Sequence, residues 1–476
     1  MHEPDWKVYE NYAQKLLDRH QVPGASVGIA VEGQTIYTHG FGWRDVEKKL
    51  PVTEDTIFGV GSITKSFTAV AIMQLQEQGK LSVDDPVVRY LPEFKVGKDG
   101  AEKHMTIHHF LTHTSGLPPL GSLTRAMVRS LWEDESVMEG EGAEKIRDVE
   151  PIDTYEELMA YIGSLDIELL GFPGQYFSYS NDAFALLGAI VERVSGIPYE
   201  VYVAERILKP LGMNRSVFDR RELESLGNVA TPYASKRVKG RDRVFAAPVW
   251  HEAPAMTAAG FLKSTVQDML RYMEIYRTGG TGNGQTILSA RSIDQMTTPY
   301  AQSQPGQYYG YGLMIHPNYH GVSLVEHGGN LKGVSAWVSC IREKGITGVV
   351  LTNLVASPGA DVLLGAMNTL MGVPVSTKRV RFQKYNCPPE RLARYAGQYK
   401  SDEGASVKVT ARGYGLDLEI EGVHFRARPV GVDTFAMRRK GLDSAVRFLI
   451  DTRGEPWGLV TGLRIVRRVR PEAESA

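Results

Sequence analysis

Polar and apolar residues alternate along the chain with two different periods. Helical spacing near residues 5–19 predicts an amphipathic helix, and the segments that follow predict a hairpin that turns at residues 32–33. Residues 62–79 are apolar on nearly every side, which is typical of a helix buried in a core. The polar exceptions stand at its start, where Ser62 and Lys65 lie three residues apart.

Further elements follow as far as about residue 372. A short helix is expected to begin at Thr106 and to end at a turn containing Gly116. The acidic, glycine-interrupted stretch 118–160 predicts an exposed helical insertion, and such insertions often lie near sites. Strands at both ends with helices between them indicate an α+β domain around one mostly antiparallel sheet. Helices are predicted near residues 181–195, 199–209, 264–277 and 358–371, and strands near 309–315, 321–327, 333–341 and 345–352.

The pattern changes after residue 372. A basic, proline-containing stretch is typical of a linker, and the remainder consists of short segments of period two separated by glycine turns. Closely spaced strands of this kind predict a small antiparallel barrel. The sequence therefore predicts a first domain over residues 1–375, a linker over 376–390 and a barrel domain over 391–476.

The composition is that of an ordinary soluble globular protein. Of the 476 residues, 42% are apolar and 23% are charged, and a net charge of -1 gives no overall attraction to nucleic acid or to anionic membranes. Because no long apolar run occurs at the start or later, we expect no signal peptide, no membrane anchor and a cytoplasmic location. Cys340 and Cys387 lack metal-ligand spacing and are expected to be reduced and structural.

Ser62 and Lys65 form the first candidate catalytic pair. Ser62 alone has an ordinary explanation as a helix N-cap, but a lysine in the first turn faces the positive end of the helix dipole. Burial and the dipole both favour the neutral amine, and residues three apart lie on one helix face with Cβ atoms roughly 5–6 Å apart. A neutral Lys65 could take the proton of the Ser62 hydroxyl, which would make Ser62 an activated nucleophile.

Acyl transfer also needs a second proton relay, and the triplet YSN offers one. Tyr179 and Asn181 would point to the same side of an extended segment. A phenol near a lysine can be driven toward phenolate and act as a general base. An amide can position the lysine and donate to a substrate carbonyl.

The stretch HGGN offers groups for the substrate and the oxyanion. His327, Gly328 and Gly329 close a predicted strand, and the two glycines would let a substrate backbone approach closely. The Asn330 N–H could pair with the Ser62 N–H as an oxyanion hole. These four residues are therefore the candidate substrate-binding residues of the strand.

In this order the motifs resemble those of the class C β-lactamase and penicillin-binding-protein-like serine hydrolases. The family's S-x-x-K, Tyr-x-Asn and third motif correspond to Ser62–Lys65, Tyr179–Asn181 and His327–Gly329. The resemblance covers residues from about 10 to 372. Supporting phrases are LTHTSGL at 111–117, PGQYFSYSN, PLGM at 210–213, AAGFLKSTVQDM at 258–269 and YGYGL at 309–313.

The resemblance implies a fold and a set of roles. The fold is a sheet flanked by helices and joined to a helical subdomain, with the site in the cleft between them. Ser62 would be the nucleophile, Lys65 and Tyr179 the proton relay, and Asn181 a residue that orients substrate. Neither a cofactor nor a metal is implied.

The third motif departs from the family pattern. Lactamases and transpeptidases of this family usually carry Lys-Thr-Gly there, and the lysine and threonine grip the substrate carboxylate. His327 and Gly328 replace both residues, so the resemblance points to D-aminopeptidases, D-amino-acid amidases and esterases. A lipocalin-like barrel after such a domain is similar to the arrangement in archaeal and bacterial D-peptidases, some of which form large oligomers.

The resulting prediction is a serine hydrolase that forms an acyl-enzyme with small peptides or amides and prefers D-amino acids. A homo-oligomer and acylation by β-lactams are also expected, without a nucleic-acid or membrane partner. Two alternatives stay open. One is a promiscuous carboxylesterase on the same scaffold, and the other is a non-catalytic relative that builds filaments or binds penicillin.

Other motifs fit structural roles better. The G-x-S-x-G match at residues 24–28 opens a strand, so Ser26 is expected to be a sheet residue. The stretch GGTGNG at 279–284 is expected to be a loop. His109 and His113 have the spacing of two metal ligands, but no third ligand is suggested. Basic residues of the barrel are expected to form a solvated or subunit-facing surface because no aromatic platform accompanies them: Arg438, Arg439, Arg467, Arg468 and Arg470.

Overall fold

The computed structural model describes residues 4–97, 100–140, 142–420, 422–439 and 442–469. Its helices are α1 (Trp6–His20), α2 (Thr64–Glu77), α3 (Ile107–Leu111), α4 (Ser122–Trp132), α5 (Glu135–Met138), α6 (Glu144–Arg147), α7 (Tyr155–Ser164), α8 (Asn181–Ser195), α9 (Tyr199–Val203), α10 (Glu222–Leu226), α11 (Thr257–Gly260), α12 (Val266–Thr278), α13 (Ala290–Met296), α14 (Gly359–Leu370) and α15 (Pro389–Arg394).

The strands of the first domain are β1 (Gly24–Val31), β2 (Gln34–Asp45), β3 (Leu50–Pro51), β4 (Phe58–Gly59), β5 (Tyr233–Val238), β6 (Arg241–Ala246), β7 (Lys263–Ser264), β8 (Thr281–Gly282), β9 (Gln285–Thr286), β10 (Ala301–Gln304), β11 (Gln307–Tyr309), β12 (Met314–Tyr319), β13 (Val322–Leu331), β14 (Val334–Ile341) and β15 (Ile346–Thr352). Those of the barrel are β16 (Gly397–Lys400), β17 (Ser406–Arg412), β18 (Gly415–Ile420), β19 (Val423–Gly431), β20 (Thr434–Arg439), β21 (Leu442–Ile450), β22 (Pro456–Thr461) and β23 (Arg464–Arg468).

A nine-stranded antiparallel sheet forms the centre of the first domain. Its strand order is β10-β11-β12-β13-β14-β15-β1-β2-β3. β1 turns into β2 where the sequence predicts, and β1 also pairs with β15, so the two ends of the domain meet in the middle of the sheet. The predicted α+β class is confirmed.

Helices cover both faces of the sheet. α1 and α14 pack on one face, where Val27 and Ile29 of β1 belong to their apolar cluster. The other face of β1 lies so close to α12 that a Cβ on Gly28 would be 2.2 Å from Val266 Cγ1. Both faces of β1 are therefore buried, which is why this strand reads as a nearly continuous apolar run.

α2 lies inside the domain, as its all-round apolar pattern predicts. Every residue from Thr64 to Met73 is buried, and the helix packs against α8 and α11. Gly79 follows its end with φ 67°, a left-handed conformation that favours glycine. The buried helix places its first turn, with Lys65, away from solvent.

Two local predictions are wrong. The stretch 309–315 is not one strand but the end of β11 and the start of β12, because a turn at Gly310–Gly312 separates them. The insertion is not simply exposed, since Val128, Leu131 and Ile146 form a small apolar cluster of their own.

Eight strands, β16 to β23, form the predicted closed antiparallel barrel. Pairing of β16 with β23 closes it, and side chains such as Tyr399, Leu418 and Phe448 fill the interior. The last predicted strand is in fact two, β22 and β23, joined by a turn at Gly462–Leu463. The exact domain boundaries stay a prediction.

Several basic residues of the barrel form contacts within the chain. Arg438 pairs with Asp443, whereas Arg467 donates to the backbone oxygens of Glu168 and Leu169 in the first domain. Arg470 and the side chain of Arg439 lie outside the described residues. Within the ranges described, no helix is both long and apolar enough to cross a membrane.

Candidate active site

A short turn, Gly61–Ile63, places Ser62 directly before α2. Gly61 has φ 53°, and a Cβ built on it would lie 2.9 Å from the Asn330 amide nitrogen, so only glycine fits this approach. The start of α2 has no side-chain cap. Ser62 therefore does not act as an N-cap, and its hydroxyl faces the next turn.

Lys65 is fully buried and reaches back to Ser62. Its Nζ lies 3.2 Å from Ser62 Oγ, 2.9 Å from Asn181 Oδ1 and 2.5 Å from the Ala259 carbonyl oxygen. Burial, and then the positive charge of Arg464, lower the pKa of Lys65 well below its usual value despite an opposing carboxylate nearby. A neutral amine can donate to Asn181 and Ala259 while its lone pair accepts from the Ser62 hydroxyl.

Tyr179 lies beside this amine, with Lys65 Nζ 4.8 Å from the ring centroid. Its buried hydroxyl has no partner of good hydrogen-bond geometry among the described residues, although Ser62 is close enough to lower its pKa. Burial outweighs Ser62 and Arg464, and the pKa of Tyr179 lies above its usual value. These surroundings favour a neutral phenol over a phenolate, and the role of Tyr179 in the proton relay stays a prediction.

His113 holds the Tyr179 segment from behind. Its Nδ1 accepts the Ser180 N–H at 3.0 Å, and its ring centroid lies 4.1 Å from that of Tyr179. Burial lowers the pKa of His113 well below its usual value, so the ring stays neutral. Ser180 in turn caps α8, and the first residue of that helix, Asn181, points its side chain at Lys65.

His327 is buried and has both ring nitrogens engaged. Nδ1 lies 2.7 Å from the Gly328 carbonyl oxygen and must donate to it, so Nε2 accepts from the Tyr309 hydroxyl at 2.8 Å. Burial is the main cause that lowers the pKa of His327 to about 3, and a positive charge on Lys65, whenever the amine is protonated, acts in the same direction. The neutral ring therefore offers no free N–H to a substrate carboxylate.

The end of β13 lies against the Ser62 turn. A Cβ on Gly329 would be 2.9 Å from the Ser62 amide nitrogen. Leu331 and Val334 flank a two-residue turn, so the alternation of antiparallel pairing leaves the Asn330 N–H pointing away from β14. The Ser62 and Asn330 amides thus share one corner of the site.

A cavity of about 290 Å³ adjoins these groups. The Trp337 ring forms one wall, and Gly328 permits this because a Cβ there would lie 2.0 Å from the ring. Leu123 of the insertion also lines the cavity. The structure therefore brings together all eight residues singled out from the sequence, from three separate segments.

The barrel supplies residues that no local motif marks. Its β22–β23 turn enters the cavity, where Leu463 O accepts the Tyr179 N–H at 2.9 Å. Arg464 follows, with its guanidinium carbon 5.4 Å from the Tyr179 ring centroid and its Nε 2.9 Å from Glu403 Oε2. A glycine turn between two strands predicts a hairpin, but it does not show which other segment the hairpin will contact. The sequence pattern therefore gives no sign that Arg464 lies at the site.

Other candidate motifs have structural partners. Ser26 is buried in β1 and donates to the Thr53 carbonyl oxygen, and residues 279–284 contain the turn of the small β8–β9 hairpin. His109 pairs with Thr106 at the start of α3. The described parts of the chain contain no group of three or more His, Cys, Asp or Glu side chains able to hold a metal ion.

Comparison with known proteins identifies the family. The family model described as Beta-lactamase matches residues 9–367. The chain belongs to this family. The resemblance inferred from the three motifs is confirmed, and the barrel lies beyond the matched residues.

Individual relatives differ in name and in extent. Esterase EstB of Burkholderia gladioli is 30% identical over 365 residues, which are 72% of this chain and 88% of that protein. The octameric penicillin-binding protein homologue from Pyrococcus abyssi is 32% identical, with a TM-score of 0.70 over 96% of this chain and 97% of that one. A D-stereospecific amidohydrolase from Streptomyces sp. is 25% identical, with a TM-score of 0.59 over 76% of this chain and 98% of that one. The family and these relatives are those of a serine hydrolase.

Proposed function

We propose that this chain hydrolyses small peptides or amides through an acyl-enzyme on Ser62, with a preference for D-amino acids. The observation that carries the proposal is the buried Lys65 amine, 3.2 Å from Ser62 Oγ and held by two other acceptors. A lysine whose pKa is lowered by burial can act as a general base near neutral pH. The same arrangement has no ordinary structural use, because burying a lysine costs stability.

In the proposed reaction, Ser62 Oγ attacks the substrate carbonyl carbon while its proton passes to Lys65 Nζ. The developing oxyanion accepts hydrogen bonds from the Ser62 and Asn330 N–H groups. The C–N bond then breaks, and the leaving nitrogen takes a proton from the Lys65–Tyr179 pair. Water attacks the resulting ester by the reverse proton path, releasing the acid and the free Ser62 hydroxyl.

Arg464 indicates what the substrate carries. With His327 offering no donor, the guanidinium at the barrel turn is a cation that lines the cavity, and it is paired on its Nε side with Glu403. Arginine binds carboxylates with paired hydrogen bonds. We therefore expect a short peptide whose free carboxylate lies near Arg464, and the likeness to a D-stereospecific amidohydrolase favours a D-residue.

A second candidate function is ester hydrolysis. It is favoured by the 30% identity to Esterase EstB, and the proposed steps change only in that an alcohol leaves instead of an amine. The comparison of matched ester and amide substrates distinguishes the two functions.

The experiment measures release of p-nitroaniline from matched D- and L-aminoacyl anilides, with a p-nitrophenyl ester in parallel. We expect the wild type to cleave the D-anilide and Ser62→Ala to lose this turnover. Cleavage of the ester alone would favour the esterase. Full turnover in Ser62→Ala would contradict both, and assembly that persists in Ser62→Ala without any turnover would favour the filament-forming alternative.

A further inference from the structure

A buried cluster of charged side chains lies beside the site but outside the catalytic set. Asp134, between α4 and α5 of the insertion, accepts from Lys332 Nζ, from His251 Nε2 at 2.8 Å and from the Ser136 hydroxyl at 2.6 Å. Lys332 also donates to the Ala247 carbonyl oxygen at 2.9 Å. Three segments far apart in sequence therefore meet at one carboxylate.

The protonation states of the cluster are set by these contacts. Burial would raise the pKa of Asp134, but hydrogen bonds from Lys332, Ser136 and His251 outweigh it and the pKa is lowered. Burial, and then the Lys332 charge, lower the pKa of His251. Burial lowers the pKa of Lys332 as well, although the Asp134 carboxylate opposes this shift. The cluster is thus a carboxylate that accepts from the Lys332 amine and from a neutral histidine, which donates through Nε2.

Lys332 stands in the turn that follows the oxyanion corner. It lies two residues after Asn330, in the two-residue turn between β13 and β14. The next residue, Gly333, packs so tightly that a Cβ there would be 2.3 Å from Pro232 Cβ. The turn is therefore held from two sides, by the Asp134 carboxylate and by the segment that contains Pro232.

The insertion also contacts the opposite side of the site. The Ser122 hydroxyl at the start of α4 donates to Asp182, the residue after Asn181. Leu123 beside it lines the cavity. Residues 122–134 of the insertion thus contact both the start of α8, where Asn181 bonds to Lys65, and the β13–β14 hairpin, which contains Asn330.

We propose that Lys332 is a positioning residue that, anchored by Asp134 of the insertion, fixes the Asn330 N–H for the oxyanion. This inference rests on the proposed acyl transfer at Ser62. A misplacement of about 1 Å can cost roughly 10²-fold in rate. Loss of the anchor should therefore lower kcat, whereas ground-state binding in the cavity should change little.

The test compares kcat and KM of Lys332→Met, Asp134→Asn and the double variant on the best substrate from the anilide and ester series. We expect kcat to fall by about 10–100-fold with KM within about 2-fold, since the oxyanion contact strengthens in the transition state. The double variant should be no slower than the singles, because one anchor is lost in each. Lys332→Arg should restore part of kcat.

Arg129→Met provides the matched control, since Arg129 pairs with Asp153 at the exposed surface of the same insertion. It should keep wild-type kcat. An unchanged kcat in a folded Asp134→Asn or Lys332→Met variant, or a rise in KM alone, would overturn the inference. Full activity in Ser62→Ala would instead overturn the proposed function, so the two failures are distinguishable.

Discussion

At the scale of single residues, the state of Lys65 decides what the site can do. Its amine is buried, touches Ser62 and Asn181, and carries a lowered pKa. Tyr179 carries a raised pKa, so the two groups are pushed toward their neutral forms. A neutral amine that takes a proton and a neutral phenol that gives one are the two partners that acyl transfer needs.

We predict that Lys65→Arg and Lys65→Met each lower kcat/KM by about 10²–10⁴-fold, the range of general-base catalysis. Arginine keeps the positive charge but cannot deprotonate, so the pair separates loss of the base from loss of charge. In the wild type, kcat/KM should fall as pH drops through the lowered pKa of Lys65, because protonation removes the base. Wild-type activity in Lys65→Arg would contradict the role of base.

At the scale of elements, the middle of β13 carries a buried ion pair next to His327. Glu326 is fully buried and accepts from Arg379 Nε at 2.7 Å, His316 Nε2 at 2.9 Å and Trp337 Nε1 at 2.9 Å. Arg379 lies in the segment 371–388 between α14 and α15, where the linker is predicted. The pair therefore ties the linker to the strand and to the Trp337 wall of the cavity.

We predict that Glu326→Gln lowers the free energy of unfolding by about 3 kcal/mol, because it removes the close partner of the buried Arg379 guanidinium and leaves only Asp361, 4.0 Å away, as a counter-charge. Urea unfolding measures the change. Burial would raise the pKa of Glu326, but Arg379 and His316 hold it well below its usual value. The contribution is therefore present above about pH 4.3, the ordinary glutamate pKa, and is lost as pH falls further.

Glu156→Gln is the control for this prediction, since Glu156 pairs with Arg193 at the exposed surface. Its removal should change the urea midpoint little, because exposed ion pairs contribute little. Equal midpoints for Glu326→Gln and wild type at pH 7 would show that the buried pair does not stabilise the fold.

At the scale of the whole molecule, the barrel completes the site. Its β22–β23 turn bonds to the backbone of Tyr179 and lines the cavity, while Leu449, Val460 and Ile465 pack with Leu170 of the first domain. We therefore expect the barrel to influence which substrates the cavity accepts. An oligomer like the octameric relative stays a prediction, which light scattering of the purified chain would test.

We predict that Arg464→Met raises KM by about 10–100-fold for a D-peptide with a free carboxylate. Hydrogen bonds to charged groups contribute roughly 1.5–3 kcal/mol. The amidated form of the same peptide should change by no more than about 3-fold if this contact is lost. Arg453→Met is the control. Among the residues that the structure describes, Arg453 pairs only with Asp451, at the exposed surface of the barrel. Equal effects on free and amidated peptides would rule out carboxylate recognition by Arg464.

Features that depend on short spacings could be predicted from the sequence alone. The nearly continuous apolar run predicts that α2 is buried, and the spacing of three residues puts Ser62 and Lys65 on the same helix face. The order of the three motifs indicates the family. Period-two segments predict the barrel, although the pattern does not separate β22 from β23. These features are readable because helix and strand periods repeat within a few residues.

Features that depend on contacts between distant segments follow from the folded chain and not from the sequence pattern. Arg464 reaches a site whose candidate nucleophile, Ser62, is 402 positions earlier in the chain, because the barrel packs on the Tyr179 segment. Both ring nitrogens of His327 are hydrogen-bonded, to Tyr309 and to the Gly328 carbonyl oxygen. Burial lowers the pKa of His327 and raises that of Tyr179, which favours the neutral form of each side chain. Burial and charge pairing arise from the packing of whole domains, which local periodicity does not encode.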